Sequence, residues 1–220
     1  KRYEAYMKET IFDPLGMNNT GVDYTSQNRA IGKTIEKGSF VNAPQVHKSH
    51  PLGAGCLKST IKDMLKWQVL LDQLCQRRSG FISPVLANQM FTPPKGISSH
   101  YGFGLDGLDQ HTRSFEHGGA IHGGSTFFSL KNGEGVIILS SQDQFPVVLL
   151  EKQARSICFK QEVDDPIEFT LRTSEILLKQ HNVTEALLLI RETIRNHKFK
   201  DEDARNKFID IVGKQYYQTI

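Results

Sequence analysis

The stretch from residue 115 to residue 128 decides the fold and reads Phe-Glu-His-Gly-Gly-Ala-Ile-His-Gly-Gly-Ser-Thr-Phe-Phe. It contains two His-Gly-Gly triplets, one beginning at His117 and one at His122. Because glycine has no Cβ, another backbone or a ligand can come close to a strand at such positions. The stretch therefore predicts a strand surface that is open to close approach.

A hairpin is predicted directly after this stretch. Two β-prone apolar segments, Phe127–Leu130 and Val136–Leu139, flank a turn that contains Asn132-Gly133. An Asn-Gly pair between two such segments is typical of an antiparallel β-hairpin. The first strand would bring the glycine-rich, histidine-bearing surface into a sheet, where functional groups are positioned more precisely than on loops.

The composition is that of a globular protein with one full domain, or one domain and an extension. The 220 residues are 38% hydrophobic and 23% charged. The formal net charge of +3 is spread without a basic run, so no nucleic-acid binding is predicted. No apolar run has the length of a membrane span. The chain opens on Lys1 without a signal-peptide pattern, and we expect it to be part of a longer sequence.

Upstream of the glycine-rich stretch, the sequence predicts three helices. The first runs from Arg2 to Phe12 and ends at Asp13-Pro14, because the residue before proline avoids the α region. Thr60 and Asp63 form a start similar to a capping box, and Ser83-Pro84 opens a short helix to about Met90. The second helix is predicted to bury one apolar face, formed by Ile61, Met64, Leu65, Leu71, Leu74 and Cys75.

Two further elements are predicted around the hairpin, and one region lacks a clear pattern. Tyr101–Leu105 alternates with glycine, which indicates a strand. Pro146 opens a helix to about Cys158. Residues 22–52 are polar and indicate a loop.

After Gln161 the sequence predicts three capped helices in series, with a domain boundary near Val163. Asp165-Pro166, Asn182 and Asp201 mark their starts. The apolar positions of the last two helices repeat at helical spacing. The residues predicted to face inward are Ala186, Leu187, Ile190 and Ile194 in one helix, and Ala204, Phe208, Ile211 and Val212 in the other.

Five segments, in this order, resemble landmarks of the serine β-lactamase-like hydrolases, the family of class C β-lactamases, DD-peptidases and related esterases. The first, IFDPLGMNNT, is similar to the family's F-x-P-L-G-M-x-x-T segment, and the second, GAGCLKSTIKDM, to its A-G-G-L-x-S-T-x-x-D-M helix entry. His117-Gly118-Gly119 stands where the family has its third catalytic motif. The segments are Ile11–Thr20, Gly53–Met64, Met90–Pro93, Tyr101–Gly104 and His117–Gly119.

The resemblance implies an α+β fold in which helices flank an antiparallel sheet. Residues 1–162 would be the C-terminal portion of the hydrolase domain, truncated relative to the β-lactamase/transpeptidase fold. Residues 163–220 would be an all-α extension similar to tetratricopeptide repeats. Periplasmic or secreted localisation is what the family suggests, and the sequence leaves the compartment open.

In this family, acyl transfer passes through a serine ester, on an ester or amide substrate. The third motif would contribute His117 as cation or donor, Gly118 and Gly119 for close approach of a small-molecule substrate, and the Ala120 N–H as an oxyanion donor. The family's nucleophile motif, Ser-x-x-Lys, and its Tyr-x-Asn precede the F-x-P-L-G-M segment. Both would then lie upstream of Lys1, and no Tyr-x-Asn occurs here.

Two local patterns imitate the missing motifs. Ser59-Thr60-Ile61-Lys62 has the Ser-x-x-Lys spacing, but the resemblance places it in the capping segment, so we interpret Ser59 as part of a helix cap. Ser26-Gln27-Asn28 imitates Ser-x-Asn, but it precedes Ser59 in the reverse of the family order. His122 is predicted to lie at a loop end rather than beside His117.

No metal or cofactor is predicted. His47 and His50 have helical spacing, but they lie between Pro44 and Pro51, where a helix is not expected. The sequence has no His-Glu-x-x-His and no Cys-x-x-Cys.

Two functions therefore remain open at this point. In the first, the chain is part of a serine hydrolase and is inactive by itself. In the second, it is a non-catalytic remnant or binding module whose helical tail docks a protein partner.

Overall fold

A computed structural model describes residues 2–22, 29–36, 39–44, 52–96, 100–143, 145–159, 166–179, 183–196 and 199–217. Within these ranges the fold is α+β, as the sequence predicts. The helices are α1 (Tyr3–Met7), which continues as a π-helical segment (Lys8–Phe12), α2 (Ile61–Cys75), α3 (Pro84–Met90), α4 (Val147–Phe159), α5 (Pro166–Lys179), α6 (Val183–Asn196) and α7 (Glu202–Tyr217). The strands are β1 (Lys33–Glu36), β2 (Ser39–Asn42), β3 (Asp106–Asp109), β4 (Ser114–Ile121), β5 (Gly124–Lys131) and β6 (Glu134–Ser140).

The larger sheet is antiparallel throughout and has the order β3-β4-β5-β6. The predicted Asn-Gly hairpin joins β5 and β6, and Asn132 and Gly133 have φ angles of 54° and 85°. Positive φ at both turn positions matches the right-handed twist of the two strands. The glycine-rich stretch forms a second hairpin, because β4 and β5 are joined by His122-Gly123.

One face of this sheet carries the core of the first unit. Phe115 of β4 and Leu130 of β5 are register partners, and both are buried. Their cluster includes Leu71 of α2 and Phe91 after α3, whose ring centroid lies 5.6 Å from that of Phe115. On the opposite face, Ser129 donates a hydrogen bond to Glu151 of α4.

Helix α2 begins as predicted, but it buries only part of the predicted face. Thr60 is the N-cap, and its hydroxyl accepts from the Asp63 N–H at 3.3 Å. Ile61 and Leu65, predicted to be buried, are 49% and 53% exposed. Leu71 and Leu74 are buried as predicted, and Asp63 and Leu70 are buried beside them, so the buried face of α2 is rotated away from Ile61 and Leu65. Two polar residues, Asp63 and Gln68, are buried instead.

The prediction of a strand at Tyr101–Leu105 is wrong. The segment is a tight loop in which Gly104 has a φ of 72°, and the Gly102 N–H donates to the Leu105 carbonyl at 2.8 Å. The strand begins one residue later, at Asp106. Alternating glycines therefore serve a chain reversal here, because glycine adopts positive φ without steric cost.

The prediction of a loop over residues 22–52 is also incomplete. β1 and β2 form a two-stranded sheet within this region. Each strand has four residues, which is too short to show an alternation in the sequence. The Lys33 N–H donates to the Ser141 carbonyl at 2.7 Å, just beyond β6.

Contacts divide the chain into two units. The first contains residues 1–33 and 43–151, and the second contains 34–42 and 152–220. In the second, α5 packs against α6 and α7, and Ile190, Phe208 and Val212 form a buried cluster. Leu187 and Ile211, predicted to face inward, are 48% and 44% exposed, since each lies one residue, or 100°, from a buried neighbour on its helix.

Several predicted features lie outside the described residues. They are the boundary at Val163, the caps at Asp165 and Asn182, the His47/His50 pair and the Ser26-Gln27-Asn28 segment. None of the helices in the described part of the chain combines the length and apolar character that crossing a membrane requires.

Candidate functional site

The four predicted site residues, His117, Gly118, Gly119 and Ala120, are consecutive on β4. The neighbouring strand β3 pairs with β4 only through Asp106 with Glu116 and Asp109 with Ser114. In the described ranges, therefore, no strand pairs with residues 117–121 on the side away from β5. An unpaired strand edge presents backbone N–H and C=O groups that an extended substrate can bind.

His117 is half-buried at the N-terminal end of this open edge. Its Nε2 lies 3.0 Å from the Tyr101 hydroxyl, which is hydrogen-bonding distance. The two ring centroids are 6.0 Å apart, with the planes inclined at 59°. Sequence reasoning missed Tyr101 as a site residue, although it belongs to the Tyr-Gly-Phe-Gly landmark that was used for the resemblance.

A second pair of side chains lies beside this one. His100 Nδ1 is 2.5 Å from Asp106 Oδ1, and the Gly107 N–H donates to the same oxygen at 2.8 Å. The hydrogen bond from His100, then that from Gly107, and the nearby His100 and His117 rings hold the pKa of Asp106 below its usual range. His100 thus contacts β3, and the adjacent Tyr101 contacts β4.

The glycines of the motif differ in what surrounds them. A Cβ on Gly119 would stand 2.7 Å from Thr126 Oγ1 on β5, whereas one on Gly118 would stand 3.4 Å from the Phe127 ring. A side chain at position 119 would therefore crowd Thr126. Gly118, like Ala120, is exposed and leaves space at the strand surface.

The turn that closes the β4–β5 hairpin contains the second histidine. His122 is exposed there, as predicted. Gly123 has a φ of 77° and lies against Gly32, whose Cα would be 2.6 Å from an added Cβ. The second His-Gly-Gly triplet therefore has a structural use that the sequence did not distinguish from the first.

The Ser59 hydroxyl contacts Thr20 and is not hydrogen-bonded to the predicted site residues of β4. Its hydroxyl is 2.8 Å from Thr20 Oγ1, which donates in turn to Asp63 Oδ2 at 3.0 Å. Because Thr60 is the N-cap, Ser59 precedes α2, and Ser59 and Lys62 do not lie one turn apart on a helix. The geometry thus connects Ser59 to the capping segment.

Metal ligands are not assembled in the part of the chain that the structure describes. Those residues contain no group of three or more His, Cys, Asp or Glu side chains that could hold an ion.

The chain is similar to proteins of one family throughout its first unit. The family model described as Beta-lactamase matches residues 1–157. A protein of Bacillus subtilis (strain 168) named as a candidate penicillin-binding protein, PbpX, is 31% identical over 147 residues, which cover 64% of this chain and 35% of that protein.

A solved structure shares the fold. The octameric penicillin-binding protein homologue from Pyrococcus abyssi superposes with a TM-score of 0.60 at 21% identity, covering 77% of this chain and 41% of that one. The matched part of this chain thus spans about a third of the length of its curated relative, 35%. From the ordered landmarks, the α+β architecture and a family match that extends over residues 1–157, we conclude that the chain belongs to the Beta-lactamase family.

Proposed function

We propose that this chain forms part of a serine hydrolase that cleaves an ester or amide through an acyl-serine intermediate. The observation that carries the proposal is the open edge of β4, with His117 at one end and Gly118, Gly119 and Ala120 along it. An extended acyl substrate could pair with this edge. His117 would serve as hydrogen-bond donor or cation, and the Ala120 N–H would stabilise the oxyanion.

The proposal places the nucleophile outside these 220 residues. The chain has one Ser-x-x-Lys, at Ser59, and its hydroxyl is hydrogen-bonded to Thr20 in the segment before α2. A serine nucleophile needs a base within hydrogen-bonding reach, and a helical turn between serine and lysine supplies it. Because Ser59 is not part of the helix, its position supports the proposal that a different serine is the nucleophile.

The test uses the longest reading frame that contains these residues. The expressed protein is treated with a fluorophosphonate and, separately, with a labelled penicillin, and the modified peptide is identified by mass spectrometry. We expect one adduct on a serine of another Ser-x-x-Lys, and its loss when that serine is replaced by alanine. An adduct on Ser59, or no adduct with either reagent, would contradict the proposal.

A second candidate function rests on α6. Leu187 and Leu188 are adjacent and 48% and 52% exposed. We propose that the helical tail, from about residue 163, is a separate domain that docks a protein partner through such residues. The Leu187→Glu/Leu188→Glu variant should keep its melting temperature and lose a partner that co-purifies with the parent chain; a partner retained by the variant would count against the proposal.

A further inference from the structure

Three main-chain hydrogen bonds hold the loop that carries Tyr101. The His100 carbonyl accepts from the Leu108 N–H at 3.1 Å, and the Gly102 N–H donates to Leu105 at 2.8 Å. The Phe103 N–H donates to the Met90 carbonyl at 3.3 Å. The backbone on both sides of Tyr101 is therefore anchored, and its ring is brought to His117 by the loop rather than by the strand.

The neighbouring glycine is needed for this approach. A Cβ on Gly102 would stand 2.5 Å from the Met90 carbonyl oxygen and 2.6 Å from Leu108 Cδ1. Contacts that short do not occur, so any other residue would displace the loop. The Tyr-Gly-Phe-Gly sequence thus encodes a close placement of Tyr101 against β4.

The chemistry of the two side chains favours one direction for their hydrogen bond. A neutral imidazole has one N–H donor and one acceptor nitrogen, and the partner of one nitrogen decides the tautomer. A phenol, with a pKa of about 10, is a better donor than a neutral imidazole N–H. The 3.0 Å contact fits an O–H donated to Nε2, which would place the imidazole proton on Nδ1.

We propose that Tyr101 is a positioning residue that holds neutral His117 in the Nδ1–H tautomer. His117 then offers an N–H donor at Nδ1, while Nε2 is occupied by the phenol. The inference rests on the proposed function only in its purpose, which is to present one defined donor to an acyl group at the open edge of β4. The tautomer itself can be measured in this chain.

The experiment measures the tautomer directly in the 220-residue chain. Long-range ¹H–¹⁵N correlation spectra of the uniformly ¹⁵N-labelled protein are recorded at pH 8, above the usual histidine pKa of about 6.5. The His117 signals are assigned by their disappearance in His117→Gln. We expect Nδ1 to have the shift of a protonated nitrogen and Nε2 that of an unprotonated one.

Two variants separate positioning from packing. Tyr101→Phe keeps the ring and removes the hydroxyl, so we expect His117 to revert towards the Nε2–H form that a histidine side chain prefers in water. Tyr6→Phe, on the exposed side of α1, should leave the His117 signals unchanged. Amide spectra of both variants verify the fold.

Either of two results would overturn the inference. One is a wild-type His117 in the Nε2–H form, which needs no variant. The other is a folded Tyr101→Phe chain with unchanged His117 shifts. Failure of the hydrolase proposal has a separate readout, since absence of an acyl-serine adduct would leave the tautomer result intact.

Discussion

The carboxylate of Asp63 accepts a 2.7 Å hydrogen bond from the backbone N–H of Asn19, 44 positions earlier in the chain. Asp63 is 1% exposed, and its second oxygen lies 3.4 Å from Lys66 Nζ, which also donates to the Gly16 carbonyl. One buried carboxylate thus joins the Leu15–Thr20 turn to the first turn of α2. Both belong to the segments on which the family resemblance depends.

Asp63→Ala should destabilise the chain even though the Thr60 cap, which accepts from the backbone N–H of residue 63, is kept. The change removes the acceptor of the Asn19 N–H and of the Thr20 hydroxyl, and hydrogen bonds to charged groups contribute about 1.5–3 kcal/mol each. We expect the free energy of unfolding in urea to fall by about 3 kcal/mol or more. Lys62→Ala, one residue earlier on the exposed side of α2, should change it by less than about 0.5 kcal/mol. Equal effects of the two changes would contradict a central role for Asp63.

Gly119→Ala should destabilise the sheet through a single contact. The new Cβ would stand 2.7 Å from Thr126 Oγ1, and the β-branched threonine has little freedom to turn away. Overpacking of this kind costs about 1–3 kcal/mol. In a double-mutant cycle, Thr126→Ala should recover most of this loss, whereas Gly118→Ala, with 3.4 Å available, should cost less. A cycle with no coupling between the two positions would show that the contact with Thr126 is not the cause of the lost stability.

The stability contributed by Asp106 should depend on pH. Its folded pKa is lowered, chiefly by the His100 hydrogen bond, so the unfolded state takes up its proton first as the pH falls. The contribution is present above the unfolded value of about 3.9 and is lost as the pH falls through the lower folded pKa. The melting temperature of Asp106→Asn should therefore lie below that of wild type at pH 6, with a difference that shrinks from about pH 4 downwards.

The matched control for this change in charge is Asp203→Asn, an exposed residue on α7. The melting temperature of Asp203→Asn should stay close to that of wild type across the same pH range, because surface ion pairs such as Asp203–Lys207 contribute little to stability. A difference for Asp106→Asn that stays constant with pH would show that the carboxylate charge is not what stabilises the loop.

The isolated 220-residue chain should not hydrolyse p-nitrophenyl acetate faster than its His117→Ala variant. Ser59, the serine of the chain's Ser-x-x-Lys, is engaged by Thr20 in the described structure, and removing the nucleophile of a serine hydrolase costs on the order of a millionfold in turnover. Initial rates at matched concentrations test this. Saturable turnover that a fluorophosphonate abolishes would show that the chain carries its own nucleophile.

Elements whose start or turn depends on adjacent residues could be predicted from the sequence. Thr60 and Ser83 cap their helices, and Asn132-Gly133 turns the β5–β6 hairpin, because each effect acts within about four residues. The α+β class and the family follow from the same local signals taken in order. His117 and its glycines were identified as site residues by that order, and their catalytic roles stay predictions.

Only the tertiary structure decided which face of a helix is buried and which distant side chains come into contact. The apolar pattern of α2 predicted burial of Ile61 and Leu65, but the stripe through Asp63 is buried, because the Asn19 N–H and the Thr20 hydroxyl supply the partners that a buried carboxylate needs. Tyr101 could not be placed beside His117 from the sequence. A contact over 16 positions depends on where a loop with positive φ at Gly104 returns the chain, and that path depends in part on the hydrogen bond from the Phe103 N–H to the Met90 carbonyl, which local preference does not predict.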